Sequence, residues 1–321
     1  MTPSALLLPR ALLLRAVLLV AAVAGMATGW AGTLLADPPV KAVASFSILA
    51  DMVGEVGGER VKLTTLVGPD GDGHVYQPTP ADAKAVATAT IVFVNGLGFE
   101  GWMDRLVESA NFTGPLVVAS KGVEPLAVGG GASGEGADAH AGHGHGEIDP
   151  HAWQSLENGK KYVRAIADAL SEVDPAGAGV YRANADRYLA DIEMLEQEVR
   201  ASIAALPEGR RSIVTSHDAF GYFARAYGLR VLSPEGVSTE SEASAGDVAA
   251  LITQIRKEAI PAVFMENITD PRLLEQIRRE TGAVMGGTLY SDALSEADGP
   301  APTYLRMFRH NVQTLTQALS S

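Results

Sequence analysis

The stretch AGAGVYRANADRYLADIEMLEQEVRASIAAL, residues 176–206, runs without a proline. Val180, Ala183, Tyr188, Ile192, Leu195, Val199 and Ile203 place apolar or small residues along it at roughly helical spacing. At 1.5 Å per residue such a helix is roughly 40–45 Å long. That exceeds what one globular layer needs, and the stretch reads as a rigid strut between two lobes.

Working outward from the strut, the same alternation appears on both sides. Towards the N-terminus, residues 41–46, 61–67, 91–94 and 116–119 read as short apolar strands. Residues 48–56, 79–88 and 101–110 between them carry helical patterns, the first stopped by Gly57-Gly58. An amphipathic helix over residues 155–173 ends at Asp174-Pro175. Towards the C-terminus, strands fall at 212–215, 230–232 and 262–265, with two pieces at 283–285 and 287–289. Helices fall at 219–227, 245–257, 271–280 (with Pro271 near its first turn) and 304–319. Strands alternating with helices make parallel sheets covered on both faces. The fold class is therefore α/β: two lobes, each a parallel sheet flanked by helices, joined by a long linking helix. The expected division is a signal peptide over 1–36, an N-terminal lobe over 37–154, helical segments over 155–206 and a C-terminal lobe over 207–321.

Bulk composition narrows the function. The 321 residues are 47% hydrophobic and 6% aromatic, with a formal net charge of −13 and no cysteine. An acidic surface does not suit nucleic acid, whose phosphates need Lys and Arg. Without cysteine there are no disulfides, thiolate metal sites, Cys nucleophiles or lipid-modified Cys. Any metal site must use His, Asp, Glu and water. Arg10 and Arg15 precede the apolar run 16–25, and small residues follow up to Leu34-Leu35-Ala36. That order is expected of an export signal cut before Asp37, with Ala31 a second possible cut. The expected location is the periplasm, with no lipid anchor.

Residues 129–147 carry Gly, Ala, His and acids with no hydrophobic period and read as a solvated loop. His140, His143 and His145 lie in it. Three other histidines stand in Gly- or Pro-flanked polar contexts. His74 follows the second strand in Gly73-His-Val-Tyr-Gln-Pro78, His151 stands in Asp149-Pro-His-Ala-Trp153, and His217 follows a strand in Thr215-Ser-His-Asp-Ala-Phe220. Asp292 follows the last strand. Open α/β sheets bind ligands at the carboxyl ends of their strands, and three imidazoles with one carboxylate close a tetrahedral Zn²⁺ site. Each of the four also has a plainer reading as a surface or capping residue. If they are ligands, their rings must be deprotonated, so affinity is expected to fall below about pH 6.

These segments, with Asn95-Gly-Leu97 and Leu289-Tyr-Ser-Asp292, resemble the solute-binding proteins of zinc and manganese ABC importers. They run in that family's order across nearly the whole chain after the leader. The resemblance implies His74 and His151 as ligands from the N-lobe, and His217 and Asp292 from the C-lobe. It implies Zn²⁺ as the transported ion, since manganese members tend to have a carboxylate where His217 stands. It also implies a membrane permease as partner, a monomer, and a possible periplasmic zinc-donor chaperone. His140, His143 and His145 are then an auxiliary metal loop, unless the loop is a tolerated insertion.

Rival functions leave other marks. Ser216, His217 and Asp218 are adjacent, and neighbours on an extended chain point to opposite faces, so they do not line up as a hydrolytic triad. A zinc hydrolase keeps one coordination position for water, which four protein ligands would fill. A manganese carrier, or a metal-binding adhesin or sensor of the same fold, stays open. A continuous strut is expected to resist wide lobe opening, leaving ion release to local loop movement.

Overall fold

A computed structural model of the chain describes residues 38–128 and 148–320. The expected signal peptide and the loop histidines His140, His143 and His145 lie outside the described residues.

Strand β1 (Val40–Phe46) is buried at every position except Lys41, on both faces of the pleat. Such two-sided burial belongs to the middle of a parallel sheet. Helix α1 (Ser47–Gly57) returns the chain to β2 (Val61–Val67), parallel to β1. Helix α2 (Pro80–Ala87) starts at a capping box between Thr79 and Asp82. Strand β3 (Ile91–Val94), helix α3 (Met103–Ser109) and strand β4 (Leu116–Val118) complete the lobe, in the strand order β2-β1-β3-β4.

Two dipeptide strands follow, β5 (Leu126–Ala127) and β6 (Ile148–Asp149), paired antiparallel. They clamp together the two ends of the segment 129–147. Elements this short carry no readable period, which is why the sequence did not reveal them.

Helix α4 (Leu156–Val173) and helix α5 (Ala178–Ala204) pack on each other. The 27 residues of α5 span about 40 Å. Its buried stripe is Tyr181, Ala185, Tyr188, Ile192, Leu195, Val199 and Ile203. Val180 is 46% exposed and Ala183 is exposed too, contrary to the face read from sequence. In the first turn it is Tyr181 that is buried, its hydroxyl donating to Asp174 Oδ2 at 2.6 Å.

The C-terminal lobe contains β7 (Ser212–Val214), α6 (Gly221–Tyr227), β8 (Arg230–Leu232), α7 (Ala245–Glu258), β9 (Ala262–Glu266), α8 (Arg272–Thr281), β10 (Val284–Leu289) and α9 (Tyr304–Leu319). Its sheet is also wholly parallel, ordered β10-β9-β7-β8. Both lobes therefore share one topology, in which the first strand is internal, the second lies on one side and the third on the other. The two pieces read at the end of the chain are one strand, β10, with a register shift between Met285 and Thr288. Gly287, at φ 122°, supplies the backbone that the irregularity needs.

One apolar core runs through both lobes. It joins Phe46 and Trp153 to Ile192 of α5 and to Phe223, Tyr304 and Phe308 of the C-lobe. A second, smaller core under the outer helices contains Val214, Leu251, Ile255, Val263 and Ile277. Polar ties reinforce the shared core. The Tyr304 amide donates to Asp51 Oδ2 at 2.9 Å, and its hydroxyl donates to the Trp153 carbonyl at 2.6 Å. An interface this apolar resists relative lobe motion.

Gly159 on α4 marks how tight the junction is, because a Cβ there would lie 2.5 Å from the Tyr304 hydroxyl. Tyr304 is fully buried and already bonded, so it has nowhere to go. Gly159→Ala is expected to destabilise the fold by about 1–3 kcal/mol through overpacking. A urea midpoint equal to that of the unaltered protein would contradict this.

Candidate metal centre

Four loops leave the carboxyl ends of strands and meet between the sheets. His74 lies beyond β2, His151 follows β6 and opens the 3-10 turn Ala152–Gln154, His217 lies beyond β7, and Asp292 lies beyond β10. One ligand atom from each falls within 4.8 Å of all the others. The Nε2 atoms of His74 and His151 are 3.2 Å apart. Asp292 Oδ2 lies 3.2 Å from the Nε2 of both His74 and His217, and Oδ1 lies 3.5 Å from His151 Nε2. His151, His217 and Asp292 are wholly buried, and His74 is 6% exposed.

Further polar groups hold each ring. Asp149 Oδ1 accepts from the His151 amide at 2.8 Å and lies 2.8 Å from His151 Nδ1. Glu266 Oε1 accepts from the amides of Ser216 and His217 at 2.8 and 3.0 Å. Its Oε2 lies 2.8 Å from His217 Nδ1, an ion-pair distance. A carboxylate on Nδ1 leaves Nε2 free to ligate a metal and raises its basicity. The Asp292 loop is held from both lobes. Trp153 Nε1 and Gln154 Nε2 donate to the Ser291 carbonyl at 2.9 and 2.7 Å, while the Asn311 amide brackets the backbone of Tyr290 at 2.9 and 2.8 Å.

The electrostatics follow from packing acids and imidazoles together out of water. Burial by itself would raise the Asp292 carboxyl, but the neighbouring charges of His151 and His217 hold it well below the usual carboxylate range. Burial likewise opposes a charge on His151. Asp292 and Asp149 overcome it and push that imidazole up to about 9. His217 is held well above its ordinary value, burial being outweighed by Glu266 and Asp292. The centre therefore attracts positive charge, which protons or a metal ion can supply.

The geometry fits a cation. A tetrahedron of ligand atoms at 2.0–2.1 Å from Zn²⁺ has edges of about 3.3 Å. Three edges, from His74 Nε2 to His151 Nε2 and from Asp292 Oδ2 to the Nε2 atoms of His74 and His217, are 3.2 Å, close to that length, and the whole set lies within 4.8 Å. Asp292 Oδ1 is buried with no hydrogen-bond donor among the described residues, and a metal would satisfy it. Glu266→Gln keeps the size of the side chain but removes its charge from His217. It is expected to weaken metal binding about 10- to 100-fold. A competition titration with a chromophoric chelator checks this, and a change below threefold would argue against the role given to Glu266.

A family profile described as ZnuA, zinc-uptake complex component A periplasmic, matches residues 42–318. The chain belongs to this family. It is a metal-binding substrate-binding protein of an ABC transporter, the resemblance read from its motifs. Among its relatives, the manganese-binding lipoprotein MntA of Halalkalibacterium halodurans is 34% identical over 281 residues, 88% of this chain and 89% of that protein. The iron-binding protein YfeA of Yersinia pestis is 32% identical over 277 residues, 86% and 85% of the two chains. The solved structure of the periplasmic zinc binding protein TroA from Treponema pallidum is 31% identical. It superposes with a TM-score of 0.79 over 88% of this chain and 99% of that one.

Members of this zinc-uptake family bind a transporter's substrate, and the local geometry agrees with that role in one respect. Both ring nitrogens of His217 face carboxylates, Glu266 and Asp292. Ser216 Oγ instead accepts from Thr269 at 2.8 Å, so Ser216, His217 and Asp218 do not form a proton relay. Sequence reading placed His74, His151, His217 and Asp292 in one cluster, as the structure does. It passed over Asp149 and Glu266. Glu266 carries the same signal as Asp292, a carboxylate at the carboxyl end of a buried strand, and Asp149 stands two residues before His151.

Proposed function

We propose that this protein captures Zn²⁺ outside the cytoplasm on His74, His151, His217 and Asp292 and delivers it to the membrane permease of an ABC importer. The observation that carries this reading is the buried set of three imidazole nitrogens and one carboxylate, all within 4.8 Å of one another and with three of the pairs 3.2 Å apart. Three nitrogens favour zinc over the harder Mn²⁺. The leader over residues 1–36 supports export, and the site of action is then the periplasm, with the protein working as a monomer.

A manganese reading has its own support. Both Asp292 oxygens face imidazoles, which would allow a bidentate carboxylate and a higher coordination number. Relatives named for manganese and iron favour it as well. Calorimetric titration of the metal-stripped protein with each ion separates the two. The zinc reading expects one Zn²⁺ per chain bound at least about 100-fold tighter than Mn²⁺. Equal or tighter Mn²⁺ binding would replace it.

His140, His143 and His145 are proposed to gather zinc or accept it from a donor chaperone before it moves inward. Deleting residues 129–146 should slow loading from a donor. Unchanged loading from every donor tested would remove that role. Release is proposed to proceed by local loop movement, supported by the apolar core shared between the lobes.

A further inference from the structure

We infer that Asp72 and Thr239 form a latch that sets how fast the metal leaves, by holding His74 in its liganding position. This rests on the reading of His74 as a ligand.

Two Asp-x-His turns feed the centre, and they are wired differently. In both, an aspartate Oδ1 accepts from the amide of the histidine two residues on: Asp149 from His151 at 2.8 Å, and Asp72 from His74 at 2.9 Å. Asp149 also meets the ring, at His151 Nδ1. Asp72 does not. Its Oδ2 instead accepts from Thr239 Oγ1 at 2.6 Å. Thr239 lies in the loop 233–244 after β8, in the other lobe. One carboxylate thus joins the backbone of a ligand to a loop 167 residues away.

That loop is also tied to the segment bearing His217. The Asp218 amide donates to the Gly236 carbonyl at 3.0 Å, and the Glu235 amide to the Ser216 carbonyl at 3.4 Å. Its middle is anchored by Val237, 4% exposed. The base of the loop therefore follows His217, and Thr239 reaches across to His74.

The latch sits where the metal must pass. A cavity of about 300 Å³ opens at His74, Phe99 and Pro150 on one side and Val237, Ser238 and Glu240 on the other. His74 is the one member of the ligand set with any exposed surface. Among the described residues, no carboxylate meets its Nδ1 as Asp149 and Glu266 meet those of His151 and His217. The least supported ring is the one at the mouth, and the loop closing that mouth is bonded to the residue that positions it. Breaking the Thr239–Asp72 bond frees the loop and loosens His74 together. This opens the route in both directions, so release and capture both accelerate and affinity changes less than either rate.

Stopped-flow capture of Zn²⁺ from the loaded full-length chain by an excess of chelator tests the latch. Thr239→Val keeps the shape of the side chain and removes the donor. It should release Zn²⁺ about 10- to 100-fold faster, the scale of one hydrogen bond to a charged group, with a smaller change in Kd. Thr239→Ser keeps the donor and should behave as the unaltered protein. Asp72→Asn, which weakens the acceptor, should follow Thr239→Val. A Thr239→Val release rate within twofold of the unaltered protein overturns the latch, as does Thr239→Ser releasing as fast as Thr239→Val. A change in Kd as large as the change in release rate also overturns it, since that is what general loosening of the site produces. His74→Ala run alongside separates the two readings. Unchanged affinity there defeats the ligand assignment itself, whereas weakened affinity with a normal Thr239→Val rate defeats only the latch.

Discussion

Replacing His217 with alanine is expected to lower zinc affinity about 100- to 1,000-fold. Structural zinc sites with four ligands bind with about 10–16 kcal/mol, or about 2.5–4 kcal/mol per ligand, which is that range of affinity. The loss extends beyond one donor atom. Removing the imidazole leaves Glu266 and Asp292 facing each other across a fully buried gap, with no cationic ring between them. Like charges brought together out of water raise a carboxyl pKa, so one of the two acids should take up a proton and cease to be a useful anion. The stabilisation conferred by bound metal should shrink in step, because binding stabilises in proportion to the logarithm of occupancy. A competition titration and paired thermal melts, with and without Zn²⁺, read both effects. His310→Ala is the control. His310 also carries an imidazole, but its Nε2 is bound to the Thr288 carbonyl at 3.0 Å, away from the cluster. Should His217→Ala bind zinc within tenfold of the unaltered protein, or His310→Ala weaken it equally, the assignment of the centre is wrong.

The second large effect is a dependence on pH that has opposite signs in the metal-free and loaded protein. In the metal-free protein, His151 titrates at about 9 rather than near its ordinary value of about 6.5. Burial opposes that proton, and Asp292 and Asp149 together more than compensate. A histidine whose folded pKa is raised adds stability that is fully present below the unfolded value. That stability is lost as pH rises through the folded value. The metal-free protein should therefore lose thermal stability between about pH 6.5 and 9. His217, raised in the same direction, adds to the trend.

Metal binding displaces these protons. Each imidazole that must give one up costs a factor of about ten in affinity per pH unit below its metal-free pKa. Zinc affinity should accordingly rise with pH at a slope between one and two decades per unit. It should fall at least about 100-fold from pH 7.5 to 5.5. The ordinary imidazole pKa led to an expected loss below about pH 6; the carboxylates around His151 move its onset up towards 9. Melting curves of stripped and loaded protein from pH 6 to 9, with calorimetry in buffers of different ionisation heat, measure the trend and the protons released. A slope under half a decade per unit, or no proton release at pH 7, would contradict the ion-paired resting state.

These expectations separate what one chain of letters determined from what only packing decided. Strands, helices and their α/β alternation were legible because apolar periodicity and turn chemistry act over a few residues. His74, His151, His217 and Asp292 were legible as candidates for a related reason. For His74, His217 and Asp292 the end of a strand is a local feature, and parallel sheets direct those ends to one side; His151 stood out by its Pro-flanked polar context in Asp149-Pro-His-Ala-Trp153. The buried stripe of α5 was read correctly from Tyr188 to Ile203 and missed only at its start, where Tyr181 and Ala185 are buried in place of Val180 and Ala183. The single strand β10 depends on pairing with β9, and the β5–β6 clamp joins segments too short to show a period.

Which imidazole is held by a carboxylate and which by a latch could not be read at all. Asp149-Pro-His151 and Asp72-Gly-His74 look alike as sequence. They differ in the tertiary structure because Thr239 arrives from the other lobe to take the free oxygen of Asp72. Local bonding rules thus determined which residues can serve as ligands. Tertiary packing determined how firmly each is held, because the charges and donors that hold them come from loops far apart in the chain.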